Sequence, residues 1–216
     1  APGMRQERTE VDGTRYYHLI LLAENETGYR NLMVLCSKGY TEGMYYKPRI
    51  DEQLLEQYAE GLICLSACLA GELPVLLLNG EKEKAEAHVR KYREIFGAEN
   101  YFIELQDHGL KEEKKASKLL IEMARKVGVP LVLTNDIHYV EQKDYIAQDI
   151  LVCIGMKKLR TDTNRMQFEG SEFYFKSGEE MAQLFPEYPE AILNTVRIAE
   201  MCNLEIPQPG PILPIY

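Results

Sequence analysis

The chain lacks a surplus of positive charge: 25 Lys and Arg stand against 34 Asp and Glu, a formal net charge of −9. Gripping a nucleic-acid backbone takes clustered Lys and Arg, so this surface is not expected to do so by itself. If nucleic acid is a substrate, metal ions or another part of a larger protein supply most of the positive field. The sequence also lacks any apolar run near the ~20 residues that cross a bilayer, and any basic start leading into an apolar secretory segment. Both absences point to a cytoplasmic protein without a membrane partner. Cysteine is sparse, with five residues at 36, 64, 68, 153 and 202 and none of the close pairs of a zinc ribbon or disulfide framework. Cys36, Cys64, Cys153 and Cys202 lie in apolar surroundings and are expected as small core residues. Asn25-Glu26-Thr27 matches a glycosylation sequon, but with no secretory segment it reads as the start of a helix.

What is present suits an ordinary globular protein: 216 residues, 45% hydrophobic and 27% charged, enough for one large domain. Residues 1–16 are polar, without apolar periodicity, and read as a loop or truncated start. Apolar runs predict strands at 17–23, 62–66, 101–106 and 129–134. Helical spacing and stop signals predict helices from Asn25 or Thr27 to Tyr40, and at 51–58, 81–96 and 112–127. Leu32, Leu35 and Cys36 are expected on the inner face of the first. Residues 73–78 are apolar and of ambiguous type. Further helices are expected at 144–154, 179–185 and 190–203, with an irregular Thr-, Asn- and Arg-rich stretch between the first two. The tail 206–216, rich in proline, reads as an extended connector.

Repeated strand–helix alternation argues for an α/β fold with a parallel sheet or barrel covered by helices. Four strands are too few for a barrel of about eight, so the simplest expectation is a chain cut at both ends, with exposed edges open to self-association.

The most informative residues are Asn135-Asp136-Ile137-His138, following the apolar run Val129-Pro130-Leu131-Val132-Leu133-Thr134. The carboxyl end of a strand is where α/β barrels build their sites. In an extended Asp-x-His the carboxylate and imidazole leave the same face and converge, an arrangement suited to a divalent metal. Asp136 as the cap of the next helix beside a packed His138 is the alternative. Asp107 and His108 also follow a strand, as substrate or outer-sphere candidates or as a polar turn before Gly109. His88, on a charged helix, is expected to be a solvated surface residue.

Taken together, the stretches at 17–23, 28–32, 45–51, 65–72, 104–109, 134–139 and 189–195 resemble one family. It is the PHP (polymerase and histidinol phosphatase) domain of bacterial replicative DNA polymerase III alpha subunits of the DnaE type. The carrying motifs include Leu65-Ser66-Ala67-Cys68-Leu69-Ala70-Gly71-Glu72 and Thr134-Asn135-Asp136-Ile137-His138-Tyr139. The resemblance implies part of a distorted TIM-like (β/α)7 barrel with a helical C-terminal extension, spanning residues 17–205. It places His18, Cys68, Asp136 and His138 on metal-ligand positions, with no catalytic residue beyond the ligands. Imidazole, thiolate and carboxylate together suit Zn²⁺, Mn²⁺ or Fe²⁺ better than Mg²⁺.

The family's opening His-x-His segment, with further ligands, has no counterpart here, so weak or absent metal binding is expected for this portion. The resemblance further implies DNA and other replicase subunits as partners, and metal-dependent 3′–5′ exonuclease or phosphoesterase chemistry in the intact protein. A scaffold that docks a proofreading subunit and a free-standing PHP phosphatase are the alternatives.

Overall fold

The computed structural model describes residues 1–11, 13–206, 208 and 210. Its four strands, β1 (Ile20–Ala23), β2 (Leu62–Leu65), β3 (Tyr101–Leu105) and β4 (Leu131–Leu133), form one sheet in chain order. Strands β2, β3 and β4 run parallel, as the alternation predicts. β1 does not: it pairs antiparallel with β2, in the register Ile20 to Leu65 and Ala23 to Leu62. β1 and β2 are joined by two helices and a loop, and so are the parallel β2 and β3, so the direction is set by how those helices pack and not by their number. This reversal puts the start of β1 beside the ends of β2, β3 and β4.

The β1–β2 connection holds α1 (Glu26–Thr41) and α2 (Glu52–Tyr58). Asn25 caps α1 through the Gly28 amide, fulfilling the expected helix start, and Asp51 caps α2 through Leu54. Gly28 is required by close approach, since a Cβ there would lie 1.8 Å from the Gly61 carbonyl oxygen. Leu35 is buried, but Cys36 is exposed, which corrects the expected core role. The i,i+1 offset turns it about 100° away from the buried stripe.

Residues 73–78, ambiguous in the sequence, belong to a short helix, α3 (Glu72–Leu78), that packs on α4 (Lys82–Phe96) and α5 (Lys111–Val127). After β4 come a 3₁₀ turn (Gln142–Asp144), α6 (Tyr145–Met156), α7 (Gly178–Leu184) and α8 (Pro189–Met201).

Both faces of the sheet are covered. Cys64, Tyr101, Ile103, Leu105 and Leu133 face the helices α1 to α5, while Ile63, Phe102 and Val132 meet Ile198 of α8. Two-sided burial is why these strands read as continuous apolar runs rather than alternating ones. The described residues of 1–16 are irregular but anchored: the buried Arg5 pairs with Asp51 and Glu42, and Arg49 donates to the carbonyls of Arg5, Glu7, Arg15 and Gly43. Asp12 and most of the expected proline connector lie outside the described residues. No helix among the described residues is long and apolar enough to cross a membrane.

Candidate metal centre at the sheet rim

The rim is built first by backbone. Past β2 the chain turns sharply at Ser66-Ala67-Cys68, with Ala67 held at φ 66°, a conformation that L-residues adopt at a cost. Glu104 of β3 pays that cost by accepting the Ala67 amide on its carboxylate, while Ser66 Oγ accepts the Glu104 amide at 2.9 Å. Thr134, beyond β4, donates to the same carboxylate at 2.7 Å. One side chain thus ties the ends of three strands together. Burial pushes the Glu104 carboxyl up, against the pull of its Thr134 and Ala67 hydrogen bonds, and the nearby Asp136 charge pushes it further. A carboxylate inside the apolar run Tyr101-Phe102-Ile103-Glu104-Leu105 was the sequence signal for this residue, and the strand reading passed over it.

His18 joins the rim through the antiparallel β1. Its amide donates to the Ala70 carbonyl and its backbone bridges to Gly71. Gly71 must stay glycine, because a Cβ would lie 2.3 Å from the Ser66 carbonyl oxygen. The outcome is that His18 Nδ1 stands 3.5 Å from Cys68 Sγ. Burial raises the Cys68 thiol pKa, and the charges of Asp136 and Glu104 raise it further. Asp136 is therefore within electrostatic reach of the thiol.

Asp136 and His138 form the second pair, with Oδ1 and Nε2 3.4 Å apart. The chain past β4 is held extended by the returning segment 173–175: Phe173 accepts the His138 amide at 2.8 Å, and Tyr139 bridges to Tyr174. Phe168 and Phe173 pack on the His138 ring at centroid distances of 4.4 and 5.7 Å.

His108 and Asp107 take different places. His108 is buried, stacked on Phe173 at 4.2 Å, with Nδ1 2.6 Å from Glu113 and Nε2 3.0 Å from Asn135. It straps α5 to the segment that carries Asp136. Asp107 accepts the Gly109 amide at 2.7 Å, an Asx turn. His88 is not the solvated residue its charged helix suggested. It lies against Tyr92 at 4.1 Å and 3.9 Å from Glu72, and burial pushes it down to about 4.

The four expected ligands therefore come as two pairs at one edge of the sheet. In kind they fit a divalent transition ion, since thiol, imidazole and carboxylate are its usual donors. In number they fall short: no three His, Cys, Asp or Glu side chains among the described residues gather into a group able to hold an ion.

Sequence comparison defines the class. A family model described as PHP domain matches residues 3–108, a stretch that includes His18, Cys68, Asp107 and His108. The DNA polymerase III subunit alpha of Treponema pallidum is 68% identical over 217 residues, covering 100% of this chain and 18% of its own length. Those of Borreliella burgdorferi and Deinococcus radiodurans are 50% and 46% identical, covering 94% and 95% of this chain and 18% and 16% of their own. The chain belongs to the PHP-domain family, in the form carried by bacterial DNA polymerase III alpha subunits. It spans under a fifth of the length of these relatives.

Proposed function

We propose that the chain serves in a replicative DNA polymerase III alpha subunit, in the cytoplasm, as the PHP module. In this reading its rim contributes His18, Cys68, Asp136 and His138 to a divalent-metal site that hydrolyses phosphodiesters at a DNA 3′ end. The observation that carries this is the meeting of His18 with Cys68, from a reversed β1, at the edge where β4 delivers Asp136 and His138. Zn²⁺, Mn²⁺ or Fe²⁺ bound there supplies charge neutralisation on the phosphate and a more acidic water.

The chain's own residues do the positioning. Glu104 fixes the turn that presents Cys68, and the Phe173 carbonyl fixes the backbone of His138. Phe168 and Phe173 hold the imidazole plane and keep water from one side of it. The two pairs alone are a half-set, so the 216-residue chain by itself binds metal weakly and is inactive as a nuclease.

In the whole-length polymerase subunit, Asp136→Asn is expected to abolish metal-dependent 3′ exonuclease activity and leave nucleotide addition intact. Full exonuclease activity in that variant rules this site out as its source. A second reading, a scaffold without chemistry that docks a proofreading subunit, draws on the exposed apolar side chains Ile146, Ile150, Leu151 and Ile154 of α6. A whole-length protein free of stoichiometric metal favours the scaffold.

A further inference from the structure

The segment 157–171, between α6 and the returning segment 173–175, lines a cavity of about 580 Å³ beside the rim. Its walls include Tyr145 and Gln148 from α6, Arg160 and Arg165 from the segment, and Phe168, which also packs on His138 and Phe173. Cationic side chains gather at this cavity. Asp149 accepts from Arg160 Nε at 2.9 Å and from Arg165 Nη2 at 3.1 Å, so one carboxylate orients two guanidinium groups and leaves an excess of one positive charge. Lys157 and Lys158 add to it from the same segment, against Asp162 and Glu169.

The Arg165 side chain is 4% exposed, and its Nε finds no hydrogen-bond partner. That Nε is enclosed, and the Nη atoms donate to Asp149 and to the Met166 and Arg160 carbonyls, so the guanidinium is held in a fixed place at the cavity wall. Arg forks match phosphate oxygens, and the aromatic rings of Tyr145 and Phe168 offer stacking faces for a base.

We propose that this cavity binds a nucleotide unit of single-stranded DNA, with its phosphate on Arg160 and Arg165 and its base against Tyr145 or Phe168. The ligand class rests on the reading of the rim as a phosphodiester site, since the cavity would hold the strand next to that rim. Binding itself needs no metal.

The test is fluorescence anisotropy of the 216-residue chain with a labelled hexathymidylate, at low salt and in EDTA, which separates this proposal from the metal reading. Arg160→Ala, at an exposed position, is expected to weaken binding about tenfold and to reduce the salt slope by about 1. Tyr145→Ala is expected to weaken the hexamer without changing competition by inorganic phosphate. Lys115→Ala on α5 serves as the control and leaves binding unchanged. Thymidine monophosphate competing as well as the hexamer identifies a free nucleotide as the ligand, and weaker competition identifies the strand; either outcome supports the site. Unchanged affinity in Arg160→Ala with an unchanged melting curve overturns the proposal. So does competition by inorganic phosphate equal to that by the monophosphate.

Discussion

Cys68 Sγ lies 3.5 Å from His18 Nδ1 across fifty residues of sequence, because β1 runs against β2 and brings its first residues to the end where β2 stops. The contact depends on a turn that leaves no room at Gly71. Gly71→Ala places a Cβ 2.3 Å from the Ser66 carbonyl and 3.1 Å from that of Cys68, both backbone atoms that cannot move independently. A loss of roughly 2 kcal/mol or more in urea unfolding is expected, in the range of forced overpacking. Wild-type stability in this variant would show that the turn relaxes freely.

Ala67 and Glu104 give opposite expectations at the same turn. Ala67→Gly removes the cost of a positive φ and should be neutral or stabilising by up to about 1 kcal/mol. Glu104→Ala leaves the Ala67 amide and the Thr134 hydroxyl without their acceptor and should cost about 2–4 kcal/mol. Chemical denaturation of the two variants side by side reads both signs.

His108→Ala removes the strap between α5 and the Asp136 segment. It leaves the buried Glu113 carboxylate short of a partner and Phe173 without its stacked ring. Burial raises the Glu113 pKa, but the hydrogen bonds from the His108 ring and amide outweigh it, so the net shift is downward. A loss of about 3 kcal/mol is expected, the upper end for leaving a buried polar group without its hydrogen-bond partner. In a chain of this size that is a fall in Tm of roughly 6–12 °C. A melting curve within 2 °C of wild type, about the shift of a sub-kilocalorie change, contradicts the assignment.

Stability against pH follows from Glu72 and His88, 3.9 Å apart beside α4. Burial, helped by Glu52, pushes Glu72 from 4.5 to about 7, so the folded state keeps a proton that the unfolded chain releases, and stability falls as pH rises between those values. Burial, helped by Lys91, pushes His88 from 6.5 to about 4, so the unfolded chain takes up a proton that the folded state refuses, and stability rises with pH from 4 to 6.5. The two offset between about 4.5 and 6.5. Above that window Glu72 goes on titrating after His88 has finished, so the contribution of this pair declines toward pH 7. In Glu72→Gln, urea titrations across pH should lose that decline and keep the rise below 6.5. A decline that persists assigns it to another group.

Much of this was legible in the chain. Asn25, Asp51, Gly97 and Gly128 marked helix ends correctly because capping and stop chemistry is local. The Asp136-x-His138 pairing was legible because two-residue periodicity in an extended segment fixes which side chains share a face. The reversal of β1 was not, since strand direction depends on how two helices pack and no local pattern encodes that. His88 was misjudged because its helix is charged overall, while the packing of Tyr92 and Glu72 around one position is a tertiary fact. Glu104 was passed over because periodicity classifies a strand and says nothing of the one polar residue within it.

The claim that Cys68 is a metal ligand can be read directly by loading the whole-length protein with Co²⁺ and recording its near-ultraviolet spectrum. A thiolate-to-cobalt charge-transfer band is expected in the wild type, lost in Cys68→Ser and weakened in Asp136→Asn. An identical band in Cys68→Ser would contradict the account, because the thiol beside His18 would then hold no metal.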